Sequence, residues 1–136
     1  MTNAALGFIG LGVMGGPMSR NLARKSGRPV LGFDLRREAP EGVLTARSVA
    51  EVAARAEIIF LSLPGEPEIR QVLEALPEEK TVIDCSTAPV ALAREMAARF
   101  AHFADAPVAR TREAAISGTL SIMVGASAEL YVRRAK

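Results

Sequence analysis

One cysteine and one histidine occur in the 136 residues. A lone Cys85 can form no internal disulfide, which suits a reducing compartment and leads us to expect a cytoplasmic protein. Cys85 and His102 together cannot build a zinc site, so no metal centre is expected. Long apolar runs are missing as well; none approaches the ~20 residues that cross a bilayer. No basic segment followed by an apolar stretch opens the chain, so no secretory leader is expected. Nor is there an excess of one charge. The net charge is +2, from 17 basic and 15 acidic residues. They are interspersed, which argues against a nucleic-acid surface.

What is present suits a single folded domain. Hydrophobic residues make up 49 %, and the length allows a sizeable core. Strand-like and helix-like stretches alternate from end to end. Strands are expected near Leu6–Ile9, Val30–Phe33, Ile58–Leu63, Thr81–Asp84, Phe103–Asp105 and Leu120–Val124, with a short one near Val43–Thr45. The first four are apolar without strict alternation, as in parallel strands covered on both faces. Helices are expected at Gly16–Lys25, from Ser48 to about Ala56, at Pro67–Leu76 and at Pro89–Phe100. Ser48 and Glu51 have the spacing of a capping box. Ile69, Val72, Leu73 and Leu76 share a helix face, as do Leu92, Met96 and Phe100. This order predicts an α/β fold, a Rossmann-type doubly wound sheet, mainly parallel, with helices on both faces. The dinucleotide domain is expected over residues 1–126. Residues 127–136, from Ser127, read as the start of a connecting helix that is cut short.

Gly10-Leu-Gly12-Val-Met-Gly15 stands between the first strand and the first helix. Asp34 follows the second strand, 19 residues beyond Gly15. A strand, a Gly-x-Gly-x-x-Gly turn, a helix, a strand and an acid form a dinucleotide-binding fingerprint. Gly10 allows the tight turn. Gly12 lets the backbone approach a pyrophosphate. Gly15 lets the helix pack close to the strand. Leu11, Val13 and Met14 complete the turn, and the helix N-terminus offers amides to the phosphates. Asp34 would accept hydrogen bonds from a ribose and favours NAD over NADP. Arg36 and Arg37 come next; either could bind a 2′-phosphate, or both belong to a solvated face, so NADP stays the alternative cofactor.

Phe8-Ile-Gly-Leu-Gly-Val-Met-Gly-Gly-Pro-Met-Ser-Arg-Asn-Leu22 resembles the opening signature of the β-hydroxyacid dehydrogenases. Leu61-Ser-Leu-Pro64, Asp84-Cys-Ser-Thr-Ala-Pro89, and Asp105-Ala-Pro-Val108 with Gly118-Thr-Leu and Met123-Val-Gly125 resemble further motifs of that family, in the same order. The resemblance implies an NAD(P)-dependent oxidoreductase acting on a small hydroxy acid or its carbonyl form, as 3-hydroxyisobutyrate dehydrogenase does. It places Leu63 and Pro64 against the cofactor. It also places Thr87 near the nicotinamide ribose, although Thr87 or Ser86 could instead cap the helix at Pro89.

Two departures stand out. Where the family has Ser-Gly-Gly after Asp-Ala-Pro-Val, this chain has Ala109-Arg110-Thr111. Arg110, with Thr111, could hold a substrate anion, or Arg110 points to solvent. The family's catalytic lysine lies beyond Lys136, and Lys25, Lys80 and Lys136 do not match its context. No catalytic residue is therefore expected in this chain, and the family's C-terminal helical domain, which mediates dimerisation into a homo-oligomer, is expected to be missing. Two other readings stay open: a dinucleotide-binding or interaction module without turnover, and an imine reductase-like relative. His102 and Cys85 are not expected to be catalytic.

Overall fold

The computed structural model describes residues 4–106 together with Val108–Ala109 and Ser121–Ile122. The elements run β1 (Ala5–Ile9), α1 (Gly15–Ser26), β2 (Val30–Phe33), β3 (Leu44–Thr45), α2 (Val49–Arg55), β4 (Ala56–Leu61), α3 (Glu66–Glu74), β5 (Thr81–Asp84), α4 (Val90–Arg99), β6 (His102–Asp105), β7 (Val108–Ala109) and β8 (Ser121–Ile122). Six strands form one sheet in the order β3-β2-β1-β4-β5-β6. All its pairings are parallel. The chain starts in the middle, winds outward through β2 and β3, then crosses to β4 and winds the other way. The winding reverses between β1 and β4, where sheets of this kind open a crevice at the strand C-termini.

Both faces are covered, as the unbroken apolar strands require. On one face Leu6, Phe8, Leu11, Val30 and Val43 form a core with Met18, Leu22 and Ala23 of α1. On the other, Ile9, Leu31, Ile59, Leu61 and Val82 pack with Val52 of α2, Ile69 and Leu73 of α3, and Leu92 and Met96 of α4. Burying each of the larger aliphatic side chains contributes about 1.5–3 kcal/mol. Phe8 and Phe60 face each other across the β1–β4 pairing, stacked with ring centroids 5.9 Å apart. A Cβ at Gly7 would meet Val52 Cγ1 at 2.5 Å, so α2 lies close on β1.

The expected elements form, with differences that have local causes. The fourth strand spans Ala56–Leu61 rather than Ile58–Leu63, because α2 ends at Arg55 and passes into β4 without a loop. Its far end leaves the ladder when the Leu63 N–H turns to Ser86 Oγ, 2.8 Å away. The capping box is only half formed. Ser48 Oγ accepts the Glu51 N–H at 3.0 Å, but Glu51 Oε1 accepts the Arg47 N–H at 2.7 Å, one residue before the cap. The helix α1 stops at Gly27, whose φ of 69° is the left-handed geometry of a helix end. The strand expected at Leu120–Val124 appears as Ser121–Ile122. It pairs antiparallel with Val108–Ala109, outside the main sheet. The connecting helix expected at residues 127–136 lies outside the described residues.

Candidate functional site

The loop Gly10–Met14 leaves β1 at the point where the winding reverses. Its three glycines answer to different demands. Gly10 has φ 102°, and a Cβ there would run into the Ser62 carbonyl. A Cβ on Gly15 would run into the Gly10 carbonyl, so α1 starts hard against the turn. Gly12 has no such constraint. Its φ is not positive, and an added Cβ would meet only Arg37 Nη1, at 3.4 Å. The protein's own packing requires glycine at Gly10 and Gly15, whereas at Gly12 it leaves the backbone bare toward open space.

The start of α1 is equally open. Met14 is its N-cap residue, no side chain caps it, and its first turn holds no acid. Among the described residues, the N–H groups of Gly12, Val13 and Met14 have no hydrogen-bond partner. Unpaired amides at a positive dipole end make a ready anion site. Val13 is 58 % exposed and Leu35 is 84 % exposed, so two apolar side chains stand uncovered near this opening.

Asp34 follows β2 directly and ties that strand to the turn. Its Oδ2 accepts the Leu11 N–H at 2.8 Å, and its Oδ1 accepts the Arg36 N–H at 2.9 Å. Each oxygen keeps a further lone pair, so the half-buried carboxylate can still accept a ribose hydroxyl. The second bond closes a tight turn just past β2. The Arg36 side chain is exposed, while the Arg37 guanidinium comes back to Gly12.

The next strand ends complete the edge. Ser62 N–H donates to the Ile9 carbonyl at 2.9 Å and keeps β4 beside β1 to its last residue. Leu63 is half-buried against the core and Pro64 is exposed. Thr87 is exposed just past β5 and caps nothing: Pro89 is the N-cap residue of α4, with no side-chain bond. Ser86 is buried, accepts the Leu63 N–H, and also bonds Asp84 through both its N–H and its side chain. Ser86 thus joins the end of β4 to the end of β5.

Asp84 and Asp105 are register partners at the ends of β5 and β6. Asp84 is buried, and its carboxyl is pushed up by that burial, opposed by the Ser86 bonds and helped by the Asp105 charge. Asp105 is also raised by burial, and its buried Oδ1 has no hydrogen-bond partner among the described residues. Next to Asp84 in the chain, the buried Cys85 thiol is pushed up to about 12, first by burial and then by the charges of the two aspartates. A thiol so held is no nucleophile near neutrality. Sequence reading passed over Arg37's placement, Ser86's role and the Asp84–Asp105 pairing. The common position of both aspartates at strand ends was the available signal.

Arg110 and Thr111 lie outside the described residues. His102 opens β6 at the opposite edge of the sheet. Lys25, in the last turn of α1, and Lys80, just before β5, also sit at that far edge. Among the described residues no cluster of three metal-ligating side chains occurs, and no helix is long and apolar enough to cross a membrane.

Comparison with known proteins shows the family and the fold. Residues 5–136 match the family model of the NAD binding domain of 6-phosphogluconate dehydrogenase. The 3-sulfolactaldehyde reductase of Escherichia coli is 38 % identical over 146 residues, covering 96 % of this chain and 49 % of that protein. The structure of Mycobacterium tuberculosis 3-hydroxyisobutyrate dehydrogenase with L-serine superposes with a TM-score of 0.84 at 34 % identity, covering 98 % of this chain and 50 % of that one. The structure of Psf3 in complex with NADP+ and 2-OPP gives 0.81 at 26 % identity, covering 94 % and 51 %. The chain spans about half the length of the curated relatives it matches.

Proposed function

The chain belongs to the family of the NAD binding domain of 6-phosphogluconate dehydrogenase, and from that premise we propose that it holds the cofactor in an NAD(P)-dependent oxidoreductase of the β-hydroxyacid dehydrogenase kind. One observation carries this reading. Gly12 is bare toward open space, beside amides that no group among the described residues satisfies. That is a cradle which a Cβ would partly fill and an anion would complete.

The residues present suit a dinucleotide. Gly10, Leu11, Gly12, Val13, Met14 and Gly15 form the floor under a pyrophosphate. Asp34 keeps lone pairs for the adenosine ribose, which favours NAD, while Arg36 and Arg37 keep NADP in play. Leu63, Pro64 and Thr87 stand on the same edge, where a nicotinamide half would extend. When bound, the nicotinamide exchanges a hydride with the carbinol carbon of a small hydroxy acid. Arg110 and Thr111 are proposed to face the carboxylate of that substrate.

A module that binds dinucleotide without turnover is the second reading. It is favoured by the place of Lys25 and Lys80 at the far edge of the sheet. No described lysine stands where a proton could be given to a carbonyl oxygen. Both readings demand cofactor binding, and calorimetric titration of the chain with NADH and NADPH tests that shared step. Saturable binding of either supports it; a folded chain that takes up neither overturns it. A steady-state assay with small hydroxy acids then separates the enzyme from the module.

A further inference from the structure

We propose that Arg37 clamps the pyrophosphate of the dinucleotide from above Gly12; this rests on the cofactor reading just given. Its Nη1 lies 3.4 Å from where a Gly12 Cβ would be, and no other atom is that near. The placement follows from the chain. Asp34 Oδ1 takes the Arg36 N–H at 2.9 Å, which bends the backbone sharply after β2 and returns the next side chain toward the turn. Elsewhere in the fold several basic groups are spent on carboxylates: Arg55 on Glu51, Arg70 on Glu66 and Glu95, Lys80 on Glu57, Arg99 on Glu78. Arg37 has no carboxylate partner among the described residues. Its planar fork is free to bind an anion in two places at once.

Two phosphates of the cofactor could meet such a group: the pyrophosphate common to NADH and NADPH, and the 2′-phosphate of NADPH alone. The geometry favours the first. Arg37 lies against the glycine at which the turn is open to a phosphate backbone. The ribose end is held by Asp34, whose charge opposes a 2′-phosphate. Amides at the start of α1 and the guanidinium would then grip the pyrophosphate from opposite sides. Such a grip serves both cofactors equally and leaves the choice between them to Asp34.

The test is calorimetric titration of the chain and its Arg37→Gln variant with NADH and NADPH, with thermal unfolding as a control. Arg37 is exposed, so the variant is expected to melt as the parent does. Affinity for both cofactors is expected to fall by the same factor, roughly tenfold or more. Arg37→Lys keeps the charge but loses the fork, and is expected to fall between the two. A loss confined to NADPH assigns Arg37 to the 2′-phosphate and overturns the proposal. Unchanged affinities for both overturn it as well. A parent chain that binds neither cofactor overturns the cofactor reading itself, and the Arg37 assignment with it.

Discussion

Asp34 and Leu11 are joined across 23 residues by a 2.8 Å hydrogen bond from the Leu11 N–H to the carboxylate. One side chain therefore shapes the glycine turn and also carries a negative charge where the proposed cofactor's ribose would lie. Asp34→Ala removes both. It is expected to lower stability by about 1–3 kcal/mol, read by denaturant unfolding, and to narrow the preference for NADH over NADPH. An unchanged ratio of the two dissociation constants removes Asp34 from cofactor choice.

The turn's glycines separate folding from binding. Gly12→Asp is expected to fold and to lose dinucleotide affinity, by bulk and by repulsion of the pyrophosphate. Gly15→Ala is expected to destabilise by several kcal/mol, because its Cβ would run into the Gly10 carbonyl. Circular dichroism melts and cofactor titrations on the pair check this. Near-parent affinity in a folded Gly12→Asp refutes the placement of the pyrophosphate.

Ser86→Ala leaves the Leu63 N–H without its acceptor and strips a bond from the buried Asp84. A loss of about 1–3 kcal/mol is expected for the unsatisfied group. Amide exchange at Leu63 is expected to rise with it. A variant as stable as the parent, with Leu63 still protected, denies Ser86 its part in joining β4 to β5.

Both Asp84 and Asp105 sit above the ordinary carboxyl value of 3.8. Just above that value the folded chain keeps protons that the unfolded chain has released. Their contribution to stability is therefore fully present below 3.8 and is lost as pH rises through the raised folded values. Asp105→Asn removes the Asp105 share of that slope. Its stability between about pH 4 and neutrality is expected to fall less steeply than the parent's in urea titrations. Identical slopes count against a raised Asp105.

Much of the fold was legible because the apolar runs, the glycine turn and the helix faces all agree on one β-α alternation. Val30–Phe33 and Thr81–Asp84 form where their apolar runs put them. Boundaries were less legible where no turn residue marks them: nothing between Arg55 and Ala56 announces that a helix becomes a strand. The shape of the glycine turn was readable from Gly10, Gly15 and Asp34, since local spacing sets where they stand. The walls of the site were not. Whether Arg36 or Arg37 reaches the turn depends on a backbone bend that spacing does not encode. Asp84 meets Asp105 only through the register of two strands that lie far apart in sequence.

At its N-cap residue, Met14, α1 has no side-chain cap. The N–H groups of Gly12, Val13 and Met14 just ahead of it are satisfied by no described residue, and a bound anion would complete them. On the cofactor reading, the pyrophosphate would then serve as the cap that the chain's side chains do not supply. At a cofactor concentration 100 times its dissociation constant, mass action adds about 2.7 kcal/mol to the folded state. The molecule would thus be at its most stable when loaded.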